Sequence, residues 1–238
     1  MAPWAAPLPM YRAGTQIARA LLVLLPIYLA LGVLQHTFSF VWAQQQDLSS
    51  EPSSPSDVFA MFDSTFWLLA VLGLLSFGLF VALAILFGLW MARVHGNAEA
   101  LSRSKLPTGV GWTVAAWYIP VAGGFLALGP LLSIWERGPG GPKGLPAAWA
   151  VLFSLSYLAS LVGGVMGFVV GYARGMEGQS TAAMEPVMAL PNAIGTLLLV
   201  VSGVCMWLCV RAIQDWQERA SAGNVPPPTG PSVPQPWA

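Results

Sequence analysis

Few side chains in this sequence could do chemistry, and their spacing keeps them apart. His36 and His95 are the only histidines. They lie at the ends of two different apolar runs, on opposite membrane sides, so they cannot share a metal ion. Each reads as an interfacial polar residue. Cys205 and Cys209 are the only cysteines and stand four residues apart inside one apolar stretch. That spacing on a helix gives poor disulfide geometry, and no further ligands surround the pair. They read as small packing residues. The interior of the apolar runs holds no acid or base, where an ionisable side chain would point to an ion or proton path. The sequence also lacks a metalloprotease helix, a glycine-rich phosphate loop after a strand, and a Ser/His/Asp set in plausible proximity. The expectation is a chain with no catalytic residue, no metal and no cofactor, and not an enzyme.

Two other groupings have spacing that matters. Arg93 and Asn97 stand one helical turn apart and share a face. That face could hold free carbonyls of a broken neighbouring segment or a lipid headgroup; the plainer reading is a snorkelling arginine at a polar helix end. Ser156, Ser160, Gly163, Gly164, Gly167 and Gly171 form a small-residue stripe. Such a stripe lets two helices approach closely in lipid. Packing within the chain is its expected use, with a homodimer or an envelope protein as the alternative partner. The stretch from Val225 to Pro236 is rich in proline. It could serve a partner that reads polyproline helices, but it reads first as a passive solvated end.

Composition sets the elements that must position these residues. Of 238 residues, 56% are hydrophobic and 8% charged, where soluble domains carry about 25% charged residues. So short a chain cannot hide that much apolar surface from water. Lipid is therefore the solvent, and the bilayer the first partner. The formal net charge is zero, which gives no reason to expect nucleic acid.

Four runs, 17–42, 65–92, 147–173 and 189–210, are long enough to cross about 30 Å of hydrocarbon as helices. Pro26 should bend the first without ending it. A signal peptide is the rival reading of that run, but its length favours an uncleaved anchor. A short segment, 1–16, precedes it. The polar loop 43–64 carries Asp47, Glu51, Asp57 and Asp63 and no Lys or Arg. The second run passes straight into 93–109, where the helix is expected to continue until Pro107 stops it. A fifth apolar stretch, Val110 to Trp135, holds Pro120, Gly123-Gly124 and Gly129-Pro130. These break regular helix and free backbone polar groups that need partners. A Gly/Pro connector (136–146), a loop (174–188) and the tail (211–238) complete the chain.

Charge placement decides how to read the fifth stretch. If it spans, Lys and Arg divide six against four between the two sides. If it enters and leaves on one side, nine of the ten basic residues share that side and only Arg174 is opposite. The positive-inside rule favours the second arrangement, with both termini in the cytoplasm of a bacterial plasma membrane. The predicted fold is thus all-α: four transmembrane helices plus one broken re-entrant or interfacial segment, with five spans as the alternative. Trp112, Trp117, Tyr118 and Trp135 suit a headgroup-level position. The same logic puts Trp42, Trp67 and Tyr172 at outer ends of spans, and Trp90, Trp149 and Trp216 at inner ends.

The order Trp90, Arg93, Asn97-Ala98, Leu101, then Gly111-Trp112, Trp117, Pro120, then Ile134-Trp135 and Trp149 resembles a bacterial membrane-protein family. That family is catalogued as a domain of unknown function and is frequent in actinomycetes. The resemblance covers roughly residues 89–160 and implies a multi-pass membrane protein with no assigned activity. Where family members carry a polar stretch after the proline, this chain has Val121 to Pro130. Arg93, Asn97, Trp112, Trp117, Pro120 and Trp135 are the residues expected to dock the broken segment. Two functions fit: a non-enzymatic scaffold or assembly factor of the cell envelope, and a small transporter or channel subunit using the segment 110–135.

Overall fold

The computed structural model describes residues 14–47, 64–119, 122–177 and 185–223, and every regular element in it is helical. Pro120, residues 48–63 of the acidic loop and the proline-rich stretch from residue 224 lie outside the described residues. The elements are α1 (Thr15–Asp47), α2 (Ser64–Ser102), α3 (Val110–Ala115), a 3-10 turn (Ala116–Tyr118), α4 (Gly123–Arg137), α5 (Gly144–Glu177) and α6 (Glu185–Ser221). Four of these, α1, α2, α5 and α6, are long and apolar enough to cross a membrane. α1 continues through Pro26 and α6 through Pro191.

Side-chain bonds fix how the long helices run. Gln214 Nε2 donates to Thr15 Oγ1 at 3.2 Å, and Trp207 Nε1 to the Leu22 carbonyl at 2.9 Å. The C-terminal end of α6 therefore sits beside the start of α1. Asn97 Nδ2 donates to Gln217 Oε1 at 3.0 Å, which brings the C-terminal end of α2 to the same place. Ser202 Oγ donates to the Trp149 carbonyl at 3.2 Å, placing the start of α5 there too. The four helices alternate up and down, and one end of the bundle gathers all these polar contacts.

The core lies toward that end. Trp90, Met91, Val94, Leu131, Ile134, Cys209, Val210 and Ile213 are all 1% exposed or less. Farther along, large apolar side chains face outward; Leu74 and Phe168 are 73% and 75% exposed. In water such surface would drive association, so its occurrence around the long helices marks lipid as the neighbour.

The expected small-residue seam holds α5 against α6. A Cβ on Gly195 would lie 2.8 Å from Ser160 Oγ and 3.2 Å from the Ser156 carbonyl. A Cβ on Gly163 would lie 2.5 Å from Asn192 Oδ1, whereas one on Gly164 meets nothing within 4 Å. Gly167 is half-buried, and Gly171 follows it one turn later in α5. Packing within the chain is thus the observed use of Ser156, Ser160 and Gly163, while Gly164 faces outward.

Three boundaries differ from the sequence reading. α2 stops at Ser102, before Pro107: Arg103 takes a left-handed φ of 52° and turns the chain. Gly129-Pro130 does not break α4, which runs through both. Pro130 lacks only the N–H that would reach the Leu126 carbonyl, and the helix continues through it with the proline buried. α6 continues eleven residues past 210 to Ser221 because Ile213, Trp216 and Gln217 are buried there.

Overpacking a tight seam costs about 1–3 kcal/mol. Gly195→Leu and Gly163→Leu should each lower the thermal midpoint of the detergent-purified chain by several degrees. Gly164→Leu should leave it unchanged.

Candidate functional site

The residues between α2 and α5 form a hairpin that returns to its own start. It leaves α2 at Ser102, runs through α3 and the 3-10 turn, and comes back along α4. Its depth is set by Tyr118, whose hydroxyl donates to the Ala84 carbonyl at 2.5 Å and lies over Gly88. Ala84 is nine residues before Arg93, or about 13 Å along the helix. Return is fixed by Arg137. Its Nη1 donates to the Ser104 carbonyl at 2.7 Å and its Nη2 to the Lys105 carbonyl at 2.6 Å. The last residue of α4 thereby holds the loop that opens the segment, so the segment is re-entrant.

A planar guanidinium suits this task, because its donors form a rigid fork that can bridge two acceptors. The carbonyls need it: the left-handed turn at Arg103 takes Ser104 and Lys105 out of the helix. Other side chains close the rest of the turn. The Glu99 carboxylate accepts the Leu106 backbone N–H at 2.9 Å and lies 3.5 Å from His95 Nε2. On the other side of that ring, Nδ1 lies 3.0 Å from Thr113 Oγ1, which is itself 3.3 Å from Thr108 Oγ1. His95 thus ties α2 to α3 through one nitrogen and meets Glu99 through the other. At the far end of α4, the Gly138 and Gly140 N–H groups bond the Trp135 carbonyl, and Trp135 Nε1 donates to the Gly141 carbonyl at 3.1 Å. Lys143 pairs with Glu136 across the same connector.

Aromatic rings fill the seam between the hairpin and the long helices. Trp117 stands between Phe87 of α2 and Trp149 of α5, with centroids at 4.3 and 4.5 Å. Phe87 also meets Trp90 at 5.5 Å, and Trp149 continues to Phe153 at 5.5 Å. Gly124 lets α4 close on α5; a Cβ there would lie 2.5 Å from Ser154 Oγ and 2.7 Å from the Ala150 carbonyl. Among the described residues, Trp90 Nε1, Trp117 Nε1 and Ser154 Oγ are buried with no hydrogen-bond partner. All three border this seam.

The sequence-selected residues fall into distinct places. Asn97 is 1% exposed and joins α2 to Gln217, whose Nε2 also reaches the Val94 carbonyl at 3.4 Å. Arg93 is exposed one turn earlier on α2. Trp117 and Trp135 pack into the protein, so their rings do not form the expected headgroup belt. The same holds for Trp90, Trp149 and Trp216, which are 0%, 3% and 7% exposed. Trp112 is 46% exposed, as an interfacial position requires, and Trp67 and Tyr172 are exposed as well; Tyr118 is also exposed, but its bond to Ala84 sets it deeper than the headgroup level. Pro120 lies outside the described residues. His36 lies along α1 away from the polar end, far from His95.

Sequence reading missed Arg137, Glu99, Thr113 and Gln217. His95 and Glu99 carry a helical signal in their spacing of four. Arg137 carries one only in retrospect, as the sole basic residue of α4.

The fold and this stapled segment define an integral membrane protein: four apolar helices with one re-entrant hairpin. A family model described as Domain of unknown function (DUF4328) matches residues 59–215. The chain belongs to that family, and the match extends well beyond the residues 89–160 that first suggested it. Comparisons with curated proteins and with solved structures find no match.

Arg137→Gln should release the 103–109 loop while leaving the long helices intact. Trypsin should then cut after Arg103 or Lys105 several-fold faster in the variant, read by the fragment pattern in detergent. Equal rates in both proteins would mean that Arg137 does not hold the loop.

Proposed function

We propose that this protein is a non-enzymatic scaffold or assembly factor of the bacterial cell envelope, working through the hairpin end of its bundle. The observation that carries this reading is the bonding of buried polar side chains across that end. Asn97 and Gln217 join two long helices, and His95 and Thr113 join a long helix to the hairpin. Each of these four is at most 3% exposed. Buried polar networks fully satisfied in this way rigidify and specify one arrangement. A rigid platform at one membrane face suits a protein that positions others.

Charge placement supports a cytoplasmic orientation for that platform and for both termini. By sequence, nine of the ten Lys and Arg residues belong to segments that begin or end there, and basic residues favour the cytoplasmic side. The outward-facing Gly164 is available to a homodimer or an envelope protein. A transporter or channel subunit is the second reading. It is favoured by the three unpartnered polar groups along the aromatic seam, since each such group costs about 1–3 kcal/mol when buried unpaired. A seam that opens to water or solute would satisfy them.

Mild-detergent purification from host membranes separates the two. The scaffold reading expects one envelope protein to co-purify in fixed ratio, and to be lost with Arg137→Gln. Solute flux in liposomes holding the purified chain alone, abolished by Gly124→Leu, would replace it with the transport reading.

A further inference from the structure

We infer that the outer rim of the α1–α6 seam is a docking site for an anionic phospholipid, with Arg19 and Arg211 as the residues that meet its phosphate. The inference rests on the membrane placement of the bundle and is independent of the scaffold reading.

Two bonds across the seam set its register. Thr15 is bonded to Gln214 and the Leu22 carbonyl to Trp207, so the antiparallel helices place Arg19 opposite Val210 and Arg211 opposite Ala18. The two arginines therefore stand at one depth, offset by a single residue. They also stand on one side. Ala18, Leu21, Val210 and Ile213 form the inner rim of the seam, each at most 4% exposed. Arg19 follows Thr15 by one turn and Arg211 follows Trp207 by one turn, so each stays beside the seam. Both are exposed, which puts them on the opposite rim, facing lipid. Packed helix axes lie about 8–10 Å apart, and two arginine side chains reach a common phosphate across that gap.

The surroundings fit a headgroup and its chain. The Arg211 guanidinium lies over the Trp207 ring, 5.7 Å from its centroid, and that indole is itself held by the Leu22 carbonyl. The ring face attracts the cation and uses none of its N–H donors. Asp215 Oδ2 lies 3.9 Å from Arg211 Nε, with both side chains more than half exposed. Such a pair contributes little, and a phosphate can displace it. Toward the hydrocarbon the same rim carries Val23 and Ile27 of α1 with Val204 and Leu208 of α6, all exposed. It then opens into a groove of about 390 Å³ whose near end is lined by Leu29, Ala30 and Val200. Those residues lie about 15 Å from the arginines along their helices. That is half of the roughly 30 Å of hydrocarbon, the depth at which an acyl chain of one leaflet ends. A zwitterionic lipid would fill the same groove but gain less from two arginines, because its headgroup carries a compensating cation.

The test uses the full chain in detergent, titrated with phosphatidylglycerol or phosphatidylcholine and read by native mass spectrometry. Wild type should retain the anionic lipid preferentially. Arg19→Gln and Arg211→Gln should each reduce that preference roughly fivefold, the equivalent of about 1 kcal/mol per basic residue near an anionic surface. Arg103→Gln removes an exposed charge of the hairpin loop at the same end of the bundle, and should leave the preference unchanged. Equal retention of both lipids by wild type would overturn the inference, and so would equal losses in all three variants. A photoreactive amino acid in place of Leu208 gives a second readout in intact membranes. It should capture lipid, whereas capture of a protein would assign the seam to a protein partner and overturn the inference.

Discussion

In hydrocarbon a backbone N–H or C=O without a partner costs several kcal/mol, because no water is present to take its place. The long helices meet that demand within themselves. The hairpin cannot, since between α2 and α5 the chain leaves helical geometry three times: after Ser102, around the 3-10 turn, and after Arg137. At two of these places a side chain supplies what the backbone lacks. Glu99 accepts from the Leu106 N–H and Arg137 donates to the Ser104 and Lys105 carbonyls at the first. Trp135 supplies a donor to Gly141 at the last. Around the turn the repair is local, with the Gly123 N–H bonding the Ile119 carbonyl at 2.7 Å. The remaining architecture follows from placing these repairs together at one end of the bundle.

That placement explains where the core lies. A pair of long helices in lipid gains no hydrophobic energy by touching, because lipid tails are as apolar as leucine. Contact has to come from close packing and from polar bonds. α5 and α6 use the first, at Gly195 and Gly163. The polar end uses the second, and the hairpin's α4 then fills the space between α2 and α5 with Leu131 and Ile134. The aromatic row from Trp90 through Trp117 to Phe153 packs the same joint from the membrane side. In its unpartnered indole N–H groups packing has overridden hydrogen bonding.

Much of this was legible in the sequence, for physical reasons. Long uncharged runs admit few structures in lipid, so four helices could be read from length and composition alone. The lopsided distribution of Lys and Arg distinguished a returning fifth segment from a crossing one. Asn97 stood out because it shares a helix face with Arg93, although its observed partner is Gln217 of α6 and not a carbonyl of the hairpin. What could not be read is which residue that partner would be, since Gln217 is 120 positions away and nothing local marks it. Tryptophan positions were misread for a related reason. An indole near the end of a span suits the lipid interface and a protein joint equally well, and only tertiary contacts decide between them. The breaking power of Gly129-Pro130 was overestimated because a proline within a helix removes a single backbone donor, and the buried Pro130 is held by tertiary packing that the local sequence does not show.

The central claim is that the segment 110–135 returns to the side it left, held by the fork of Arg137. The most direct test is a pair of spin labels at Lys105→Cys and Glu136→Cys, with Cys205 and Cys209 replaced by alanine, in a reconstituted bilayer. The structure places the two labels on one face, and pulsed dipolar spectroscopy should return a separation below roughly 20 Å. A segment that crossed the hydrocarbon would hold them about 30 Å or more apart, and that distance would contradict the account.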